Sequence, residues 1–350
     1  MRVGRHGENI LVSGFGLLLT LGFAFAIVVV LILLLSEEPG AALLAFFLGP
    51  FTNSYFFANM LNAAVPLVFT GTGMALAFRG SVFNLGGEGQ VYSGGLIATV
   101  ICLALPGAPG LAGGTLALAG AVAAGAVLAG ISGLFRMKYG TDELITSFLI
   151  SAAVILLINY FITGPLDDPE SNLLATRAIG LQYRLKHIFP PSRLNPSVFV
   201  ALATAAAAAF LLFATRSGYE LRMSGLNQEF ARYGGIDVRF YLVLPLLLSG
   251  ALHGLAGGLS ILGTYQRCIK GFSAGMGWNG IAVALIARNH PLGVLPAAFF
   301  FAYLEAGARA AMLQADVTFE LAAIAQATIF YLITAQALTH YLSLGGRQGL

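Results

Sequence analysis

A chain of 350 residues that is 58% hydrophobic and only 9% charged has more apolar side chain than a soluble fold hides, since soluble domains carry roughly a quarter charged residues. Uncharged runs reach or pass the ~20 residues that cross a bilayer as helix, among them Asn9 to Ser36. The net charge of +3 is too small to point to a nucleic-acid partner, and the basic residues fall mostly in short loops, where they report topology.

These runs predict an all-α, polytopic transmembrane helical bundle of about eight to ten crossings, forming a single membrane domain over residues 1–350. The first span covers Gly14 to Leu35, after Arg2, Arg5 and His6 and before the acidic Glu37-Glu38-Pro39, which places the N-terminus in the cytoplasm. Its apolar stretch is longer than the ~7–15 residues of a signal-peptide core, so it reads as a retained helix. Phe46 to Phe57 reads as an interfacial connector, and a second span from Phe57 to Phe78, carrying Pro66, ends at Arg79. The polar stretch Phe83 to Gln90 follows, then a third span to Leu105 closed by the turn Pro106 to Gly110. The fourth span, Leu111 to Phe135, is dense in Ala and Gly, the composition of helices whose backbones pack closely, and it ends in Arg136-Met137-Lys138. A fifth span runs from Leu144 to Thr163.

Residues 164–195 form the long polar segment of the outer face, an extracytoplasmic loop with Asp167, Asp168, Glu170, Arg177, Arg184, Lys186 and Arg193. A sixth span, Pro196 to Ala214, leads into the most basic inner loop, 215–240, and a seventh, Tyr241 to Leu262, carries Pro245. Beyond the run Gly275 to Gly280, the apolar piece Ile281 to Ala287 is too short to cross. It reads as half of a broken or re-entrant helix, completed by Leu292 to Gly307. A last span from Leu321 to about Tyr341 leaves the C-terminus cytoplasmic.

Two polar, glycine-rich interruptions, one in each half, carry the chemistry. Irregular backbone at membrane depth is tolerated only where protein buries it or water reaches it, and ionisable groups there mark function. Asn84, Glu88 and Gln90 in the first interruption, with Trp278 and Asn279 in the second, are the residues expected along a substrate pathway. The competing reading is a buried polar cluster that pins a helix break, with Glu88 accepting from backbone N–H groups; an ionised Glu88 would find its nearest basic neighbour in sequence at Arg79. Trp278 suits a headgroup anchor as well as a stacking platform. Pro66 and Pro245, each ahead of its glycine-rich stretch in spans of opposite direction, give the pattern of an inverted repeat around a midplane site. Glu305 and Arg309 are spaced as an i, i+4 ion pair.

Several chemistries lack their residues. None of Lys138, Lys186 and Lys270 follows a glycine, so the chain has no phosphate-cradling P-loop. The histidines form no HExxH pair, and no catalytic or metal-binding residues are assigned. Cys102 and Cys268 read as free thiols.

Phe83-Asn84-Leu85-Gly86-Gly87-Glu88-Gly89-Gln90 resembles the signature of bacterial ABC importer permeases of the branched-chain amino acid, ribose and nucleoside class. In that signature it is closest to nucleoside permeases that work with a basic-membrane-protein type lipoprotein. Gly225 to Ile236 is similar to the family's cytoplasmic segment that docks on the ATPase, with Gln228 and Phe230 where glutamate or proline and alanine are commoner. Gly277 to Gly293 resembles its second glycine-rich segment, and the likeness runs from about residue 55 to 340. The resemblance implies a non-catalytic permease subunit of an importer in the bacterial cytoplasmic (inner) membrane. It implies three partners: a cytoplasmic ATPase that holds the ATP and Mg, a second homologous permease, and an extracytoplasmic substrate-binding lipoprotein. No cofactor is expected on this chain. The 215–240 coupling loop would meet the ATPase through Gly225, Leu226, Asn227, Phe230, Arg232, Tyr233 and Gly235, with Leu226, Phe230 and Tyr233 as the apolar edge of one short helix. Nucleosides are the expected substrate; a ribose-type simple sugar and an ATP-independent secondary transporter are the alternatives.

Overall fold

The computed structural model describes residues 22–331, apart from 24, 35, 316, 317, 319, 321, 322, 325 and 329. The start of the first expected span and most of the last, with both chain ends, lie outside the described residues. The described helices are α1 (Phe25–Leu34), α2 (Pro39–Leu48), α3 (Ser54–Arg79), α4 (Gly87–Ala104), α5 (Gly110–Tyr139), α6 (Glu143–Thr163), α7 (Ser197–Ala214), α8 (Arg216–Leu226), α9 (Gln228–Tyr233), α10 (Val238–Ser260), α11 (Met276–Ile286) and α12 (Val294–Gln314). Only two isolated β-bridges accompany them among the described residues. Six of the helical stretches are long and apolar enough to cross a membrane: α3, α5, α6, α7, α10 with its continuation to Tyr265, and the stretch Pro291–Gln314 that contains α12.

The chain divides into two units, Met1–Met60 with Phe300–Leu350, and Leu61–Phe299. In the first, aromatic rings dominate: Phe25 stacks edge-on with Phe300 at 5.6 Å, and Phe46 lies edge-on to Phe47 at 5.1 Å. Residues 39–48, expected to lie between spans, are helical; Pro39 occupies the first helical turn, where its fixed φ and missing N–H are no handicap. Glu305 and Arg309 form the expected i, i+4 pair at 2.6 Å.

In the second unit α10 is the hub, and glycines let α5 and α4 approach its backbone. A Cβ on Gly125 would strike the carbonyl oxygen of Gly250, and one on Gly257 would strike that of Val91. This is the small-residue packing that the composition of the fourth span predicts. One end of this unit is closed by residues 164–195, which are not loose. Their backbone bonds to the stretch after α10: Leu185 N to Leu262 O at 2.9 Å, Ile179 N to Gln266 O at 2.9 Å, Thr176 N to Cys268 O at 3.0 Å. Gln182 adds a bond to Pro106 O, and Asp168 pairs with Arg267 at 3.5 Å. At the other end of α10, Leu76, Leu212, Leu221 and Tyr241 join α3, α7, α8 and α10 in one buried cluster.

The length of α12 corrects the expected pairing of half-helices. The helical stretch that contains it, Pro291–Gln314, is 24 residues long, enough to cross alone without α11. α11 itself begins at Met276, five residues before the apolar piece that the sequence marks. Its eleven residues make a rod of about 16 Å, half a bilayer core.

Candidate functional site

α3 ends in a tight reversal. Val82 N bonds to Ala77 O at 3.1 Å and Ser81 N to Phe78 O at 3.0 Å, with Ser81 left-handed at φ 52°. That is the paired bonding of a helix end normally closed by glycine. The backbone then stays irregular through Gly86 before α4 starts.

This irregular stretch is secured by side chains. Asn84 is fully buried; its Nδ2 donates to Gln90 Oε1 at 2.8 Å and to Ser249 Oγ at 2.9 Å. Its Oδ1 accepts from Gly86 N at 3.1 Å and from Gln90 Nε2 at 2.8 Å. Asn84 and the equally buried Gln90 therefore satisfy each other as a reciprocal amide pair. α6 supplies a second set. Glu143, Ser147 and Ser151, four residues apart on one helix face, accept from Phe83 N (3.3 Å), Leu85 N (3.0 Å) and Gly89 N (2.9 Å). Glu143 is in turn ion-paired with Arg136 at the end of α5. Further along the same helix Asn159 accepts from Tyr92 OH at 2.7 Å. Sequence reasoning passed over this stripe; its signal is Glu143, Ser147 and Ser151 at every fourth position, with Asn159 two steps further on past the apolar Ile155.

The two interruptions meet. Glu88, in the first turn of α4, accepts from Gly275 N through Oε1 at 3.0 Å and from Gly277 N through Oε2 at 2.9 Å. Its carboxylate thus lies at the N-terminal ends of two helices, where backbone N–H groups and helix dipoles favour negative charge. The backbones touch: a Cβ on Gly277 would overlap Glu88 N and Gly87 C, so no larger residue fits there without moving α11. Ser249 and His253, both fully buried, stand beside this junction about halfway along α10. His253 Nδ1 lies 2.7 Å from Ser249 O, and a Cβ on Gly87 would come within 2.7 Å of His253 Nε2. Trp278 is 40% exposed and its ring meets Phe148 at 6.1 Å. Asn279 is half-buried in the first turn of α11, its backbone N bonding to Gly275 O at 2.9 Å.

Arg79 is not the partner of Glu88. Its Nε donates to Asn289 O at 2.9 Å and its Nη2 to Arg288 O at 3.4 Å, carbonyls just past the C-terminal end of α11. The acid and the base that flank the first interruption thus hold opposite ends of one short helix, each at the end whose dipole suits its charge.

Residues 215–240 form two helices where the sequence suggests one docking helix. Asn227, extended at φ −157°, separates α8 from α9 and caps the latter by accepting from Phe230 N at 3.0 Å. Leu226 is therefore not on the same helix as Phe230 and Tyr233, yet all three face outward, 80%, 60% and 93% exposed. Arg232 is exposed beside them, and Gly235 turns the chain at φ 78°. Gly225 faces inward: a Cβ there would strike Arg79 O, and Ser81 Oγ donates to Gly225 O at 2.6 Å. α8 is seated on α10 by Glu220, which bonds Arg216 at 2.7 Å and accepts from Tyr241 OH at 2.8 Å. The hydrogen bond from Arg216, then that from Tyr241, holds the Glu220 carboxyl below its ordinary range.

Residues 56–335 match the family described as branched-chain amino acid transport system / permease component. Among characterised or named proteins, the chain is 37% identical over 305 residues to the "Probable riboflavin import permease protein RfuC" of Treponema pallidum, covering 86% of this chain and 80% of that one. It is 32% identical over 290 residues to the guanosine ABC transporter permease protein NupP of Bacillus subtilis (82% and 83% covered). It is 30% identical over 335 residues to the glucose ABC transporter permease protein TsgB13 of Haloferax volcanii (93% and 88% covered). With a family match over most of its length and six helices able to cross a bilayer, the chain belongs to the branched-chain amino acid transport system permease family and is a multi-pass permease subunit of an ABC importer.

Proposed function

We propose that this permease imports nucleosides, taking a neutral nitrogen heterocycle that carries a pentose-derived polyol through the junction of α4 and α11. The observation that carries this reading is the charge balance at that junction. Glu88 is already matched by two backbone N–H groups and two helix ends, and the remaining polar groups nearby, Asn84, Gln90, Ser249, His253 and Asn279, are amides, a hydroxyl and an imidazole. These buried groups are neutral, and the junction therefore offers an anion no cationic side chain, which leaves a neutral solute as the better match. The named substrates of two relatives, guanosine and riboflavin, share a flat heterocycle and a five-carbon polyol, which supports the same class. In this reading Glu88, Trp278 and Asn279 border the pathway, while Asn84 and Gln90 act by fixing the break that opens it.

The remaining parts follow the same reading. The outward edge of Leu226, Phe230, Arg232 and Tyr233 docks a cytoplasmic ABC ATPase, which holds ATP and Mg. The 164–195 segment faces outward toward a substrate-binding lipoprotein, a second homologous permease completes the pathway, and both termini lie in the cytoplasm of a bacterial inner membrane. Alternating access then requires two states with different affinity for the nucleotide-bound ATPase and the loaded binding protein.

The test is competition uptake in the reconstituted complex of permeases, ATPase and binding protein, with guanosine, adenosine, uridine, riboflavin, ribose and glucose. Nucleosides are expected to compete best. Competition by ribose or glucose alone would assign the chain to sugar import, and uptake by the permease without any ATPase would end the importer reading.

A further inference from the structure

α11 is connected to the docking segment by a short, unbroken set of contacts. Gly225, the next-to-last residue of α8, packs backbone to backbone on Arg79 and Gly80, with no side chain between them to absorb movement. Ser81 donates to Gly225 O at 2.6 Å from a left-handed backbone that a glycine would adopt freely, and observed strain of this kind persists where the surroundings enforce it. Arg79, the last residue of α3, then grips the carbonyls of Arg288 and Asn289 at the C-terminal end of α11. Those two residues are themselves left-handed, at φ 52° and 56°. The grip is steadied from the side: Arg79 and Arg222 of α8 both lie over the Phe213 ring, at 5.8 and 5.3 Å, and His290 stacks on the same ring at 4.9 Å.

We infer that Arg79 is the positioning residue that passes movement of the docking segment to α11, so that displacement of α8 and Gly225 shifts the short helix and, at its far end, the Glu88 contact with Gly275 and Gly277. The inference rests on the proposed ATPase-driven reading and adds the route within this chain. A guanidinium suits the task because its planar fork holds two carbonyls in fixed relation, and it lies at the helix end where a cation is favoured. α11 is short enough to act as one lever, since it is a single uninterrupted helix of eleven residues.

The decisive experiment measures uptake and ATP hydrolysis in the same proteoliposomes containing the whole complex. Arg79→Gln is expected to co-purify with undiminished ATPase and to keep hydrolysis within about twofold, while substrate moved per ATP falls about tenfold, the size expected when a charge-assisted pair of bonds is lost. Ser81→Gly keeps the left-handed turn and removes only the hydroxyl tie, so it folds at least as well; uptake per ATP should fall about two- to threefold. An unchanged ratio of uptake to hydrolysis in Ser81→Gly, or in a folded Arg79→Gln, overturns the inference. Loss of ATPase binding in step with uptake overturns it too, since Arg79 would then serve docking. Wild-type uptake that needs no ATPase would instead defeat the importer reading, a separate result from the same assay.

Discussion

The first turns of α4 and α11 are both polar interruptions that end in a helix N-terminus, yet they are anchored differently. The approach to α4 is held by four separate side-chain acceptors, Glu143, Ser147, Asn84 and Ser151, each serving one backbone N–H. At the start of α11 a single side chain serves two: the two oxygens of Glu88 accept from both Gly275 and Gly277. A distributed set loses about one bond's worth of stability when any member is removed, whereas a shared acceptor releases two N–H groups together. The difference suits a fixed wall on one side of the junction and a movable, latched element on the other.

Glu88→Gln is the substitution that should do most to break this comparison. The amide keeps the shape but leaves one acceptor in place of two and turns an N–H donor toward a backbone N–H. Charge-assisted bonds contribute roughly 1.5–3 kcal/mol each, so loss of one should lower the rate of uptake about tenfold or more. The thermal midpoint should fall by several degrees as well, because the same bond stabilises the folded chain. Full uptake by Glu88→Gln in the reconstituted complex would show that the latch is not needed.

Asn84→Ala probes the other side. It strands Gln90, Ser249 Oγ and the Gly86 N–H in a buried place, and interhelical bonds in membranes average about 0.6 and reach about 1.7 kcal/mol, so a stability loss of about 2 kcal/mol is expected. If Asn84 holds a wall and touches no substrate, the Michaelis constant of the folded fraction should stay within about twofold of wild type. A raised Michaelis constant with unchanged melting would place Asn84 on the substrate itself.

Much of this architecture is legible in the sequence because length and hydropathy act locally. The spans placed from Phe57, Leu111, Leu144, Pro196 and Tyr241 agree with α3, α5, α6, α7 and α10 to within a few residues. α2 escapes that reading because ten apolar residues do not cross a bilayer and Pro39 looks like a stop, although proline is at home in a first helical turn. The start of α11 escapes it because Gly277 and Gly280 read as loop residues. They are glycine for closeness, against Glu88 and Thr70 respectively, inside a regular helix. The site was legible only as residue types. Asn84, Glu88 and Gln90 announce a polar break, but which groups they meet is decided by neighbours far along the chain: Ser249, Gly275 and Ser147. Arg79 and Glu88, nine residues apart, invite pairing, and the fold instead sends them to opposite ends of the same helix.

The smallest effect should sharpen the comparison most. Ser151→Ala removes one acceptor from the α6 stripe while keeping the close fit against Gly89, whose own Cβ would come within 2.7–2.9 Å of Ser151 atoms. The Gly89 N–H belongs to the first turn of α4, whose N–H groups have no partner within the helix and depend on outside acceptors. Losing this one should therefore lower stability by about 0.6 kcal/mol, with uptake unchanged, as read by thermal melting of the purified complex and by proteoliposome uptake. Glu143, Ser147 and Asn84 continue to hold the rest of the approach, which is why a single neutral bond is dispensable here. A loss of uptake as deep as that of Glu88→Gln would mean that the two helix starts work as one latch, and that the α6 stripe belongs to the moving part.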